Sequence, residues 1–285
     1  MMEISDQERN RPVVYWLFCC CTLVFIMICV GGITRLTHSG LSIVEWQPIV
    51  GTLPPLSEGE WNVMFEKYRS TPEYLQVNQG MSLEEFKDIF WWEYVHRLLG
   101  RIIGLAFLLP CLWFIWTGRI RGGSVSKMLG IFVLGGLQGA MGWYMVASGL
   151  VDDPRVSHLR LTAHLGLAVL IFGAMFWQAL NLKHGRINGG VGSAQGRDLR
   201  FWAYALPVLV FFMILSGGLV AGIRAGFAYN TFPLMNGHWM PPEILLLEPW
   251  YLNIVNNMAM VQFNHRVLAM VILLCTLVLW HKSRG

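Results

Sequence analysis

The chain has 285 residues, 55% of them hydrophobic and only 13% charged, with a formal net charge of +4. A soluble domain of this size carries about 25% charged residues, so the composition excludes a soluble enzyme and points to an all-α polytopic membrane protein. The small positive excess speaks against a nucleic-acid partner and reads as loop bias.

Six apolar runs are long enough to cross the roughly 30 Å hydrocarbon layer. The first, over about 12–31, contains VVYWLFCCCTLVFIMICVGG. It is longer than a signal-peptide core and lacks a clear small-residue cleavage site, so it reads as a first transmembrane helix. A polar segment of about 60 residues follows, with nine acids and four Lys/Arg. Its end, SLEEFKDIFWWEYVH, pairs a Ser82 N-cap with Glu85 three residues on, which predicts a surface helix running towards the second span. The remaining spans are expected at about 95–117, 127–147, 158–182, 201–222 and 257–281.

Basic residues set the orientation. Arg9 and Arg11, then Arg119, Arg121 and Lys127, then Lys183, Arg186, Arg197 and Arg200, and finally Lys282 and Arg284 all fall on one side. The other side holds Asp152, Asp153, Glu243 and Glu248. The N-terminus is expected in the cytoplasm and the long first loop outside, in the periplasm of a Gram-negative cell.

The sequence repeats itself. FIMICVGGITRLTHSGLSI (25–43) matches FFMILSGGLVAGIRAGFAY (211–229), and EYVHRLLGRIIGLAFLLPCLW (93–113) matches QFNHRVLAMVILLCTLVLW (262–280). Spans one and two therefore correspond to five and six. An even number of spans separates the copies, so both have the same orientation, as in parallel repeats about an axis along the membrane normal. Copy one continues through spans three and four, whereas copy two stops at Gly285. On that pattern two further helices are expected in a complete protein, one carrying a counterpart of His164.

The six cysteines lie in apolar runs with no CxxCH or CxxC, so covalent haem and thiolate zinc are not expected. The histidines carry more. His96, His164 and His265 open spans on the outer side, with His158 at the mouth of span four. His38 and His238 fall in outer loops, His184 and His281 at cytoplasmic ends. Ionisable groups at membrane depth usually face the bundle interior. One such imidazole is commonly an interhelical hydrogen bond. Two in matching repeat positions plus a third point to haem ligation, since each span brings essentially one imidazole and no packed carboxylates or thiolates for a bare metal. His96 is followed by Gly100 and Gly104, a strip on which a flat macrocycle can lie or a neighbouring helix can pack. Arg97, Arg101, Arg160 and Arg266 are candidates for haem propionates or for snorkelling to headgroups. Glu93 precedes His96 by three residues and shares its helical face, and the matching residue in copy two is Gln262. A carboxylate in one copy only suggests that one pocket does chemistry while the other holds electrons.

The stretches GGITRLTHSGLSIVEWQPIVGTLPPL, FWWEYVHRLLGR, RVSHLRLTAHLGLA, GGLVAGIRAGFAYNTFPLMNG and QFNHRVLA cover the chain from the first span to the sixth. In them the sequence resembles the haem A synthase family of the alphaproteobacterial and mitochondrial type. The resemblance implies an eight-helix protein of two four-helix bundles, oxidising the C8 methyl of haem O to the formyl of haem A for terminal oxidases. It implies a substrate-haem half at 1–185 and an incomplete cofactor half at 186–285, holding a non-covalent haem b. His96 and His164 would flank the substrate iron, with Arg97 and Arg101 beside it and Glu93 as the acidic catalytic residue. His265 would be one axial ligand of the cofactor haem, its partner lying in an eighth helix absent here. The cysteine pair that some members carry in the first outer loop is missing. Implied partners are haem O, a haem O synthase and a membrane electron acceptor, with a homo-oligomer left open, all in the inner membrane.

Two other readings compete. A two-haem b-type electron-transfer protein would use the same histidines as plain ligands; the Glu93/Gln262 difference argues against it. A transporter or oxidase-assembly helper would place polar groups near the midplane, whereas here they cluster at outer span ends. The loops EWQPIVGTLPPL and YNTFPLMNGHWMPPE are either lids over haem edges or ordered interfacial segments.

Overall fold

The computed structural model describes residues 6–47, 50–151, 153–185 and 194–284. Asp152 and Arg186, two of the charges behind the expected orientation, lie outside them. Among the described residues the regular structure is helical: α1 (Asp6–Leu36), α2 (Glu58–Arg69), α3 (Pro72–Gln76), α4 (Leu83–Trp116), α5 (Gly123–Ala147), α6 (His158–His184), α7 (Ala194–Gly222), α8 (Ala225–Ala228), α9 (Asn253–Asn256) and α10 (Met258–Arg284). Six of these, α1, α4, α5, α6, α7 and α10, contain stretches long and apolar enough to span a bilayer. The chain is a multi-pass, all-α membrane protein, as its composition implied. It forms two compact units, Met1–Val156 with Leu167–Ile187, and Ser157–Gly166 with Asn188–Gly285. The first turns of α6 therefore cluster with the second unit.

The core of the first unit follows helical periodicity. Val13, Leu17, Cys20, Cys21 and Val24 form one stripe of α1. It packs on Phe107, Cys111 and Phe114 of α4, Met128 and Ile131 of α5, and Ile171, Met175 and Ala179 of α6. Inside this core sits a helix-breaking residue. Pro110 lacks the N–H that would bond the carbonyl of Ala106, four residues earlier. In hydrocarbon that carbonyl needs another donor, and Trp16 Nε1 of α1 donates to it at 2.8 Å.

The predicted surface helix and second span are one element. The Ser82–Glu85 capping box is formed in both directions, and nothing between it and Pro110 breaks the helix. At 1.5 Å per residue its 34 residues extend about 51 Å, some 20 Å more than the hydrocarbon layer. The protruding turns carry an aromatic cluster of Phe86, Phe90 and Tyr94, which packs with Tyr68 and Tyr74. Two helices of the long loop, α2 and α3, were not anticipated. Their signals are present, however: Ser57 caps α2 by accepting from Glu60 N, and Thr71 caps α3 ahead of Pro72.

Under this cluster Glu73 is only 6% exposed. Its Oε2 accepts from the Tyr68 hydroxyl at 3.2 Å, and that hydroxyl accepts from Asn78 Nδ2 at 2.7 Å. Burial, partly offset by the Tyr68 hydrogen bond and reinforced by the charge of Glu93, raises the Glu73 carboxyl to about 7.

In the second unit α7 and α10 are the long elements. A short cluster of Tyr229, Met235 and Ala259 joins the segment after α8 to the first turn of α10. Two buried asparagines order the segment between α8 and α10. Asn253 donates to Leu247 O and Trp250 O and accepts from Leu247 N. Asn257 caps α10 by accepting from Ala259 N at 2.8 Å, and donates to Glu243 O.

Two outcomes are expected. Trp16→Phe should destabilise the protein by about 1–3 kcal/mol by stranding a buried carbonyl, and by much less in a Pro110→Ala background, where the helix recovers its own donor; unfolding of the detergent-solubilised single and double variants measures the difference. A carboxyl whose folded pKa exceeds its unfolded value stabilises fully below the unfolded value and loses that contribution as pH rises through the folded one. Hydrogen-exchange protection of the 68–78 amides, corrected for intrinsic rates, should therefore fall between pH 5 and 8 by roughly 3 kcal/mol, and Glu73→Gln should flatten the profile.

Candidate functional site

A stripe of donors on α4 builds the first-copy site. Tyr94, Arg97 and Arg101 are spaced three and four residues apart and so share a face. Tyr94 Oη donates to Thr52 O at 2.7 Å. Arg97 donates from Nη2 to Ile43 O at 2.7 Å and from Nη1 to Glu45 O at 2.9 Å. Arg101 Nη2 donates to Gln47 O at 2.9 Å. Four carbonyls of the loop after α1 are thereby held to one helix. Glu45, Gln47, Pro54 and Pro55 of this loop line a cavity of ≈ 340 Å³ together with Tyr94, Arg97 and Arg101.

Glu93 belongs to the same network. It is 2% exposed. Its Oε2 accepts from Ser42 Oγ at 2.7 Å and from Ile43 N at 2.8 Å, and its Oε1 from Arg97 Nη2 at 2.6 Å. The carboxylate is thus a charged, fully donated group at the join of loop and helix, not the end of an exposed loop helix. Removing one member of such a pair leaves the other charge buried, a loss of about 3–5 kcal/mol.

His96, one turn further along α4, lies against α1. A Cβ on Gly31 would come within 3.3 Å of His96 Nε2, whereas at Gly32 it would meet nothing within 4 Å. The glycine strip beneath His96 divides in two. A Cβ on Gly100 would lie 3.2 Å from Met27 Cε, so this glycine serves helix packing; a Cβ at Gly104 would meet nothing within 4 Å.

The second copy repeats this frame. Arg266 donates from Nη2 to Tyr229 O at 2.7 Å, the counterpart of Arg97 and Ile43 O. Each GG helix stops at the same repeat position, with a left-handed residue: His38 at φ 55° and Arg224 at φ 59°. His38 is therefore a helix stop. His265 lies against Gly217, where a Cβ would meet Cε1 at 3.4 Å. Its Nδ1 is 2.7 Å from Ser216 Oγ, and Ser216 also reaches Met213 O at 2.9 Å. The ionic latch is absent: Gln262 replaces Glu93, Ala228 replaces Ser42, and Gln262 Nε2 approaches Tyr229 O at 3.4 Å. Gln262 Oε1 is buried with no hydrogen-bond partner among the described residues.

The structure thus brings Glu93, His96, Arg97 and Arg101 together in the first unit. His164 falls in the second unit with His265 and Arg266. Near it α6 comes very close to α7: a Cβ on Gly166 would fall 2.7 Å from Leu215 Cδ2, and one on Gly218 would fall 3.0 Å from Thr162 Oγ1. Arg160 lies one turn before His164 on α6. His158 is engaged by Asn256 Oδ1 at 2.9 Å. Among the described residues no three His, Cys, Asp or Glu side chains gather around a bare metal site. A ligand that needs one imidazole from a helix and a glycine beside it fits what is present; haem meets both conditions. Sequence reasoning missed Ser42 and Ser216. Both stand out in the aligned copies, where Ser42 faces Ala228 and Ser216 faces Val30.

Comparison with known proteins agrees with this frame. The cytochrome oxidase assembly protein family matches residues 14–285. Among curated proteins, the heme A synthase of Nitrosospira multiformis is 59% identical over 99% of this chain and 79% of its own length. Those of Nitrosomonas eutropha and Paramagnetospirillum magneticum are 54% and 50% identical, over 99% and 97% of the chain and 80% and 78% of theirs. No solved structure matches. With the match running through all six long helices and both copies of the repeat, the chain belongs to the cytochrome oxidase assembly protein family.

Proposed function

We infer that this chain is a haem A synthase, an oxidoreductase that converts the C8 methyl of haem O to a formyl group. The observation that carries the reading is the duplicated frame, a histidine beside a GG-helix glycine and an arginine on a loop carbonyl, with a buried carboxylate in one copy only. Relatives of about half identity or more named heme A synthase support it. The reaction adds one oxygen atom and removes four electrons: R–CH₃ + H₂O gives R–CHO + 4 H⁺ + 4 e⁻.

In this reading the first copy takes the substrate. His96 is the imidazole that the first unit offers to the haem O iron. Gly31 keeps the Nε2 edge of His96 clear. Arg97 and Arg101 hold the outer loop that walls the cavity, and both line it, within reach of acidic groups on a ligand. Glu93 keeps a fixed negative charge one turn from His96, where positive charge or a released proton is stabilised. His265 would hold the iron of a resident haem b, which would supply one-electron redox chemistry when bound. Lys and Arg crowd one set of span ends, which places the long first loop on the periplasmic side of the inner membrane. A haem O synthase upstream and a membrane electron acceptor downstream complete the reaction.

Glu93→Gln, which installs the copy-two residue, should keep the fold and haem binding but abolish haem A formation; pigment analysis of expressing cells decides. Ser42→Ala removes one hydrogen bond and leaves the charge, and should retain activity. Normal haem A from Glu93→Gln would refute the catalytic role, leaving only the latch. Gly31→Ala should crowd His96 Nε2 and weaken haem O binding by about tenfold or more, whereas Gly32→Ala should bind as the parent does; optical titration of the two purified variants separates them.

A further inference from the structure

The two histidines of the repeat differ in what holds them. His265 Nδ1 lies 2.7 Å from Ser216 Oγ. The same oxygen lies 2.9 Å from Met213 O, the carbonyl three residues earlier on α7. Serine back-bonding of this kind is common in helices, and in hydrocarbon it gives the hydroxyl hydrogen a carbonyl to bond. A hydroxyl has one hydrogen. Given to Met213, it leaves only lone pairs facing the imidazole, so the hydrogen in the second contact comes from Nδ1. With the hydroxyl hydrogen on Met213 O, the chain runs His265 Nδ1–H to Ser216 Oγ–H to Met213 O. Nδ1–H is the tautomer that leaves the Nε2 lone pair for a metal.

Copy one has no such group. Val30 occupies the position of Ser216, while Gly31 and His96 match Gly217 and His265. The rings also present different atoms to the glycine: Nε2 in His96 and Cε1 in His265.

We propose that Ser216 is a positioning residue that anchors the His265 imidazole as a Nε2 ligand, and that it makes the second copy the half that retains its haem. This rests on the reading of His265 as an iron ligand. A hydrogen bond donated by Nδ1 increases electron density on Nε2. That strengthens the bond to iron and favours the ferric state. Metal-binding histidines that lose such a partner typically lose 10- to 100-fold in affinity. The unanchored His96 suits a ligand that must leave as product; the anchored His265 suits one that must stay.

The test uses the purified full-length protein with Ser216→Val, which installs the copy-one residue, Ser216→Thr, which keeps the hydroxyl, and His265→Ala. Haem retention is followed by transfer to excess apomyoglobin, and the midpoint potential of the retained haem by optical redox titration. Ser216→Val should release haem roughly 10- to 100-fold faster and raise the potential, with a tenfold change in the ferric–ferrous ratio corresponding to 59 mV. Ser216→Thr should restore both. The reverse change, Val30→Ser, should slow release from the first copy and supplies a readout should Ser216→Val not fold. Unchanged release and potential in Ser216→Val overturn the positioning role, as does failure of Ser216→Thr to restore them. A full haem complement in His265→Ala overturns the ligand reading itself, and the positioning role with it.

Discussion

The site depends on one constraint: irregular backbone at a membrane boundary must have its carbonyls satisfied. After α1 the chain leaves its helix and passes through turns and bends. Its carbonyls at Ile43, Glu45, Gln47 and Thr52 are met by Arg97, Arg101 and Tyr94, all from one face of α4. Arginine suits this task because one planar fork reaches two carbonyls and a carboxylate at once. The histidine is the residue immediately before the arginine. Clamping the guanidinium therefore ties the loop to the turn of α4 that carries the imidazole.

Duplication shows which parts of this arrangement are frame and which are function. The arginine-to-carbonyl bond, the glycine beside the imidazole and the left-handed stop of the preceding helix occur in both copies. Among the positions that differ in chemistry are three beside the histidines and the loop clamp: Glu93 against Gln262, Ser42 against Ala228, and Val30 against Ser216. The first two change together because the serine hydroxyl is a donor to the carboxylate. The third moves a hydroxyl to the other copy's histidine. One half thus has a charged wall and a valine next to the glycine that its imidazole faces, the other a neutral wall and a serine hydroxyl 2.7 Å from its imidazole. That division matches a protein in which one haem is transformed and another stays.

Packing elsewhere follows the same economy of donors. Pro110 breaks a hydrogen bond in the middle of the first unit, and Trp16 from the neighbouring helix supplies the replacement. The aromatic cluster over α4 keeps Glu73 out of water, so its carboxyl titrates near neutrality while the charge on Glu93 lies close by.

Much was legible in the sequence. The six spans and the repeat follow from hydropathy and self-similarity, because burial in lipid constrains composition strongly and locally. The Ser82–Glu85 cap was also readable, since a capping box is a four-residue event. Its continuation into the second span was not, because only the absence of a breaker says so. The roles of Arg97, Glu93 and Ser216 needed tertiary structure. Each side chain chooses among several partners of similar energy, and the choice is made by loops and helices distant in sequence. Spacing placed Glu93 and His96 on one helical face; only the fold showed that the carboxylate is enclosed by Ser42, Ile43 and Arg97, and that Ser216 Oγ of α7 lies 2.7 Å from His265 Nδ1.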